Sequence, residues 1–446
     1  MENPLLCNQN GCKRYLDKNV YEAVQERLGR LFAEFNNIYV SFSGGKDSGL
    51  LLNLCLQYMR ANGIKRRIGV FHQDFEAQYT ETSIFVERTL TSNHDLIVPY
   101  WLCLPMSCKT ATSVYEQYWI PWDPAKKDIW VRPMPEYPFV INLDNNNLDF
   151  YRYAMLQEDI YEQFTPWYHR TVGSGVGKTI SLIGIRSQES LNRWRAATRQ
   201  DKGRYDNLPW TTQVEPNVYT GYPIYDWTAE DVWTANAKFG FDYNKLYDLF
   251  YYAGVPLHSM RVASPFNDWA IGSLKLYRAI EPNIWGKMVG RVNGANFSSI
   301  YGGSHAMAWK NIKLPPGHTW KSYVDFLLRT LPDETRKTFE EKFAVSLKFW
   351  IEKGGVLSSE TIEELNRMGI QINVKGKTNY KTDKNQVAFA DYPDDLDVKE
   401  FQSVPSYKSM AIAILKNDHL CKYMGFAQTK VERERRKAAL DKYRDL

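Results

Sequence analysis

Residues 43–48, Ser43-Gly44-Gly45-Lys46-Asp47-Ser48, constrain this chain more than any other stretch. Before them run residues 37–42, β-prone and largely apolar. After them run residues 49–60, which read as a buried helix. A strand, a Gly-Gly turn and a helix in that order put free backbone N–H groups at a helix N-terminus. That end carries about half a positive charge and attracts anions. Two adjacent glycines let the backbone approach a phosphate with no Cβ in the way. Lys46 adds a mobile cation, and Ser43 and Ser48 add hydroxyls. Asp47 is the odd member. A carboxylate beside an anion site is costly unless it holds a metal or caps the helix.

A chain of 446 residues is long enough for two or three domains. Its net charge of +5 permits anionic ligands without announcing a nucleic-acid binder. No apolar run approaches the ~18 residues of a membrane span, since Pro99 and Pro105 break the longest candidate, 96–106. The N-terminus lacks a signal-peptide pattern, and the six cysteines are too few for a disulfide framework in a chain this long. A cytoplasmic location is the expectation.

A leading helix is expected at 13–35, from the helical spacing of Val20, Val24, Leu28, Leu31 and Phe35. A second apolar strand, 68–72, ends in Gln73-Asp74-Phe75-Glu76, and a helix begins near Thr80. In open parallel sheets ligands lie at the carboxyl ends of strands, so Asp74 becomes a candidate ligand contact. For Glu76 that role and a solvated turn are evenly balanced, and His72 reads as packed in its strand. A third strand covers 96–102. Residues 105–170, rich in Trp, Tyr and Pro, are too irregular to place and read as an insertion. Residues 173–179, Gly-Ser-Gly-Val-Gly-Lys-Thr, imitate a Walker loop. However, Val172 stands where its first glycine belongs, and a strand follows instead of a helix. That strand delivers Arg186 to the functional edge. A helix then begins within 187–195, and Arg186, Arg193, Arg195, Arg199, Lys202 and Arg204 make a basic cluster opposed by Glu189 and Asp201. Guanidinium forks suit phosphate or sulfate oxygens. Glu189 and Arg193 also fit an ordinary i,i+4 pair. Thr228 and Asp231 form a capping box ahead of another helix. His258 and Arg261 are weaker candidates for the anion, because a lone loop histidine is more often structural.

Three blocks in one order carry a family resemblance: the 43–48 loop, Gly184-Ile185-Arg186 with Glu189-Ser190, and Tyr222-Pro223 leading to Trp227-Thr228 and Asp231-Val232-Trp233. Over roughly residues 37–265 the chain resembles the ATP pyrophosphatase superfamily with its phosphoadenylylsulfate (PAPS) reductases. The whole chain resembles the IbrA-type branch of PAPS-reductase-like co-activators. The resemblance implies an α/β fold, a Rossmann-like (HUP-type) parallel sheet flanked by helices. It divides the chain into a lead at 1–36, a nucleotide domain at 37–265 and a mainly helical region with a charged tail at 266–446. In that region helices are expected at about 320–331, 334–353, 358–368 and 406–424, with 376–397 as polar loop. The tail from Lys430, with seven basic and four acidic side chains, reads as a solvated helix; contact with nucleic acid or a partner protein is the alternative.

The resemblance further implies ATP or PAPS held by Ser43, Gly44, Gly45, Lys46, Asp47, Ser48, Asp74, Arg186, Glu189, Arg193, His258 and Arg261. Lys46, Asp47 and Arg186 would carry catalysis, Mg²⁺ would sit near Asp47, and a ParB-like (IbrB-type) protein would be the partner. The chain departs from PAPS reductases in one respect. Their C-terminal nucleophilic cysteine motif is missing, Cys421 being the sole cysteine after residue 108. The paired cysteines of an iron–sulfur site are missing too, so no cluster is expected. Cys7/Cys12 and Cys103/Cys108 share one spacing. That gap is loose for zinc and Cys103 ends a strand, so zinc is disfavoured. Nucleotide-dependent adenylyl transfer leads. PAPS reduction by an external thiol and nucleotide sensing without turnover are the alternatives.

Overall fold

The computed structural model describes residues 17–426 except 114, 191–192, 195–202, 263, 268–269, 271–273, 297, 299–313, 378–383, 397 and 399–403. Cys7, Cys12, Arg195, Arg199, Asp201, Lys202, part of the expected leading helix and the charged tail from Lys430 lie outside the described residues. The chain forms two compact units. The first comprises residues 1–104, 134–152 and 157–262, and the second 105–133, 153–156 and 263–446.

The first unit opens with α1 (Val20–Glu34), started by an Asn19–Glu22 capping box. Strand β1 (Asn37–Ser41) leads through the Gly-Gly turn into α2 (Lys46–Ala61). Then come β2 (Ile68–Gln73), α3 (Thr80–Thr91) and β3 (Ile97–Leu102). The second unit's short strands β4 (Cys108–Lys109) and β5 (Tyr118–Trp119) intervene before β6 (Val140–Ile141). The unit continues with α4 (Gln157–Thr171), β7 (Thr179–Ile183), β8 (Thr211–Glu215), β9 (Val218–Gly221), α5 (Ala229–Phe239) and α6 (Leu246–Tyr252). Seven strands pair in the order β6-β3-β2-β1-β7-β9-β8, all parallel except β8 against β9. All six residues of β2 are buried, as befits a strand covered on both faces.

Strand order runs one way from β1 to β2 and β3, and the other way from β1 to β7. The pair β1–β7 is therefore the topological switch, and its carboxyl edge is where an open α/β sheet leaves a crevice. The loop 43–48 leaves β1 at that edge, and Arg186 follows β7 there. The fold is the expected mostly parallel, Rossmann-like sheet.

Within residues 105–170, expected to be irregular, the chain forms the regular helix α4. Ile160, Phe164, Trp167 and Tyr168 give it a buried face despite the interior Pro166. Residues 173–177 close the carboxyl end of this helix. Gly175 N–H donates to the His169 carbonyl at 2.9 Å, and Lys178 N–H donates to Asn36 Oδ1 at 3.1 Å. These amides serve the turn.

In the second unit, α7 (Leu274–Ile280), α8 (Pro282–Arg291), α9 (Trp320–Thr330), α10 (Asp333–Lys348), α11 (Ser359–Arg367) and α12 (Tyr407–Leu415) predominate. Trp320, Val324, Phe339, Phe343, Met410 and Ile414 pack one core cluster. Two expectations change. Residues 376–397 are not all loop: β11 (Ile372–Lys377) and β12 (Asn385–Phe389) pair antiparallel beside β10 (Gly355–Leu357). Val387 and Phe389 are buried in a second cluster, and that tertiary burial overrides a polar local composition. The helix expected over 406–424 stops at Leu415. Asn417 and Cys421 take left-handed φ values of 52° and 51°, which asparagine tolerates and a continuing helix does not. Among the described residues no helix is long and apolar enough to cross a membrane.

Candidate functional site

The site grows from the carboxyl end of β1. Gly44 has φ of 75°, and a Cβ there would meet Val86 Cγ2 at 2.9 Å, so both conformation and space call for glycine. Gly45 is the N-cap of α2 and supplies no side-chain cap. The loop binds itself through hydroxyls: Ser43 N–H donates to Ser48 Oγ at 3.1 Å, and Ser48 Oγ–H donates to the Gly45 carbonyl at 3.2 Å. Gly184, just past β7, presses on the same turn from the neighbouring strand. A Cβ on it would sit 2.9 Å from the Asp47 carbonyl carbon and 3.0 Å from the Ser48 nitrogen.

Charge collects at this edge. Lys46 and Arg186 are both buried, with side chains 5% and 4% exposed. Lys46 Nζ donates to Asp47 Oδ2 at 3.1 Å, and Arg186 Nε donates to Asp47 Oδ1 at 2.7 Å. Arg186 also donates to Glu189 Oε1 at 3.3 Å, and Arg193 pairs with the same Glu189 carboxylate. Burial is the main cause holding the Lys46 pKa below its ordinary value. Asp47 opposes that shift, and Arg186 and Arg261 add to it. Arg193 is likewise held down, by burial first and by Arg261 and Arg186 after it. Four cations, Lys46, Arg186, Arg193 and Arg261, thus sense one another around two carboxylates, Asp47 and Glu189. An arrangement with cations in excess is ready for a polyanion.

The remaining expected residues divide. Asp74 stands at the carboxyl edge of β2 and is buried. Its Oδ1 accepts the Glu76 N–H and its Oδ2 accepts the Trp101 indole N–H, each at 2.8 Å. Both oxygens have bonds within the protein. Glu76 is buried at φ 62°, not a solvated turn acid. His72 is packed in its strand, with Nδ1 2.8 Å from the Phe42 carbonyl. His258 stands in a 3-10 turn, and its side chain lies outside what is described. Cys103 and Cys108 are buried, and among the described residues no group of three or more His, Cys, Asp or Glu side chains is placed to hold a metal.

Two residues absent from the sequence reading organise the loop. Asn244, fully buried, donates through Nδ2 to the Gly44 carbonyl and to Thr82 Oγ1, both at 2.9 Å, and accepts the Leu246 N–H through Oδ1 at 3.0 Å. Tyr247 Oη accepts the Lys46 N–H at 3.0 Å, and its ring lies 5.6 Å below Lys46 Nζ. Trp233, the last residue of the Trp227–Trp233 block, packs edge-on against Tyr247 at 5.3 Å. That block therefore reaches the loop through Tyr247. An asparagine two residues ahead of helix α6 is a visible helix-start signal. Its reach to Gly44, two hundred positions away, is tertiary and leaves no local mark.

Residues 169–253 match the phosphoadenosine phosphosulfate reductase domain family, and residues 254–435 match the family called "Domain of unknown function (DUF3440)". The chain is 32% identical over 421 residues to the "Uncharacterized protein YbdN" of Escherichia coli strain K12, covering 93% of this chain and 92% of that protein. Among solved structures, PAPS reductase from Candida auris in a phosphate complex superposes with a TM-score of 0.28 and 14% identity, over 54% of this chain and 94% of that one. FMN adenylyltransferase from Candida glabrata gives 0.29 and 14%, over 51% of this chain and 57% of that one. Likeness at this level bears on neither ligand nor reaction.

Proposed function

The chain belongs to the family of the Escherichia coli protein YbdN, and we propose that it is a nucleotide-binding enzyme performing adenylyl transfer from ATP. The observation that carries the reading is the convergence of Lys46 and Arg186 on a bare glycine turn at the switch of a parallel sheet. The β- and γ-phosphates lie on the 43–48 turn, where amides at the start of α2 and the Lys46 ammonium meet them. Arg186 faces the α-phosphate and stabilises charge as it develops there, the main protein contribution in phosphoryl chemistry. An acceptor nucleophile bonds to the α-phosphorus, the α–β bridge breaks, and pyrophosphate leaves.

Asp47 acts as the organiser of the two cations. Its oxygens already accept from Lys46 and Arg186, so its surroundings do not fit a resident metal. Mg²⁺ belongs to this reading as a companion of the ATP substrate, and no step is routed through it.

A second reading, PAPS reduction with a thiol supplied by another molecule, is favoured by the family match over residues 169–253. The same cations suit a phosphosulfate. A pyrophosphate-release assay across candidate acceptors, run beside sulfite release from PAPS with thioredoxin, separates the two. Adenylyl transfer predicts pyrophosphate without sulfite, with Lys46→Ala and Asp47→Ala each losing at least about a hundredfold in turnover. Unchanged turnover in both variants removes the loop from the mechanism. Tight nucleotide binding with no product in either assay assigns the chain to sensing, where the ParB-like partner would read out the bound state.

A further inference from the structure

We propose that Tyr247 is a built-in competitor of the nucleotide: its phenol oxygen stands where a phosphate oxygen binds, and the ligand must displace it. The inference rests on the nucleotide reading above. It follows from how completely residues 247 and 260–262 use the features the loop offers to an anion.

Three features are engaged at once. The N–H of Lys46, first residue of α2, has no acceptor within its helix and donates to Tyr247 Oη at 3.0 Å. The bare face of Gly45 is covered. A Cβ there would lie 3.5 Å from Tyr247 Oη and 3.9 Å from Val262 Cβ. The Lys46 ammonium, which donates to Asp47 at 3.1 Å, also reaches the Met260 carbonyl at 3.5 Å and lies over the Tyr247 ring. Amide, glycine face and cation are the parts that would meet a phosphate. Tyr247 and the 260–262 segment therefore act together as an internal stand-in.

The phenol can yield. Burial pushes the Tyr247 pKa up, so its oxygen is a neutral acceptor. A neutral N–H···O bond is weaker than a charge-assisted bond from the same amide to a phosphate oxygen, so the exchange runs toward the ligand. The covering segment is anchored by the buried Met260 and is otherwise lightly structured. Residues 257–259 form only one 3-10 turn, and Arg261 is exposed. Tyr247 itself is held by Trp233 and Phe250 through ring contacts at 5.3 and 6.2 Å. It returns when the ligand leaves, and the loop does not stay open with bare amides.

The test uses the full chain, inorganic pyrophosphate as probe, and the variant Tyr247→Phe, which keeps the ring and removes the competing oxygen. Calorimetric titration is expected to give an affinity at least about fivefold higher in the variant than in the parent, the size of a weak hydrogen bond, because the phenol oxygen that must be exchanged accepts from the Lys46 and Val262 amides. Hydrogen exchange in the unmodified protein gives a second arm that needs no variant. Residues 257–262 are expected to exchange faster when pyrophosphate binds. Equal or lower affinity in Tyr247→Phe overturns the proposal, because the phenol then helps hold the ligand or does nothing. Slower exchange over 257–262 on binding also overturns it. If pyrophosphate binds neither protein, the nucleotide reading falls, and this inference with it.

Discussion

Asn244 is the side chain on which the loop's shape depends. It is buried, with both Nδ2 protons and its Oδ1 engaged, by Gly44, Thr82 and Leu246. Asn244→Ala strands the Gly44 carbonyl, and the expected loss is about 1–3 kcal/mol of stability with weaker pyrophosphate binding. Urea unfolding and calorimetry check both. Gly184→Ala places a methyl group 2.9 Å from the Asp47 backbone and is expected to cost about 1–3 kcal/mol, with binding impaired beyond that. The pH dependence follows from Lys46, whose pKa is lowered from 10.5. Between its folded value and 10.5 the unfolded chain holds a proton that the folded chain has released, so the unliganded protein gains stability as pH rises through that window. A bound anion draws the proton back, so pyrophosphate affinity falls over the same window, with proton uptake visible in buffers of different ionisation heat. Lys46→Arg flattens that profile. At this scale the sequence was most legible where chemistry and chain adjacency coincide. Ser43 to Ser48 could be read because the whole motif is contiguous. Arg186 could be read because a strand end delivers it. Asp74 follows the end of β2, and its bonds to Glu76 and Trp101 leave no mark in the local sequence. Asn244 and Tyr247 were hidden because their partners are far along the chain.

Elements were legible where apolar spacing and turn chemistry agreed. The strand–turn–helix around 43–48 is one case. Helix α5 is another, where Thr228 accepts the Asp231 N–H at 3.1 Å and Asp231 returns a bond to the Thr228 N–H at 2.8 Å. Thr228→Ala is expected to cost about 1 kcal/mol. Through Trp233 it should also loosen Tyr247, which thermal unfolding and pyrophosphate titration together would register. Elements were illegible where one local signal contradicted the tertiary answer. Pro166 concealed the regular spacing of Ile160, Phe164 and Trp167 in α4. The polar stretch after Ile372 concealed two strands whose buried Val387 and Phe389 find their neighbours elsewhere. The end of α12 at Leu415 rests on a left-handed Asn417, for which the apolar pattern gave no warning.

At the scale of the whole molecule, a linear division into a nucleotide domain and a C-terminal region meets a chain that crosses between its units. Residues 105–133 belong with 263–446. Ala111 N–H donates to the Phe266 carbonyl at 2.8 Å, Trp119 packs edge-on against Phe266 at 5.0 Å, and His419 Nε2 lies 3.1 Å from the Ser113 carbonyl. A truncation after residue 265 strips the buried Trp119 of that setting, so it is expected to aggregate where the full chain stays monodisperse in gel filtration. The second unit also carries a pH signature. Burial lowers the His419 pKa below 6.5, so the unfolded chain takes up a proton first, and stability is lost as pH falls through that value. His419→Gln should reduce the drop seen in urea unfolding at mildly acidic pH. The central claim remains that the turn after β1 receives the phosphates of a nucleotide. Calorimetric titration of ATP into the full chain and into Lys46→Ala tests it most directly. Saturable binding to the parent and a loss of at least about tenfold in the variant are expected; equal binding by both proteins, or none by either, would refute phosphate binding at this turn.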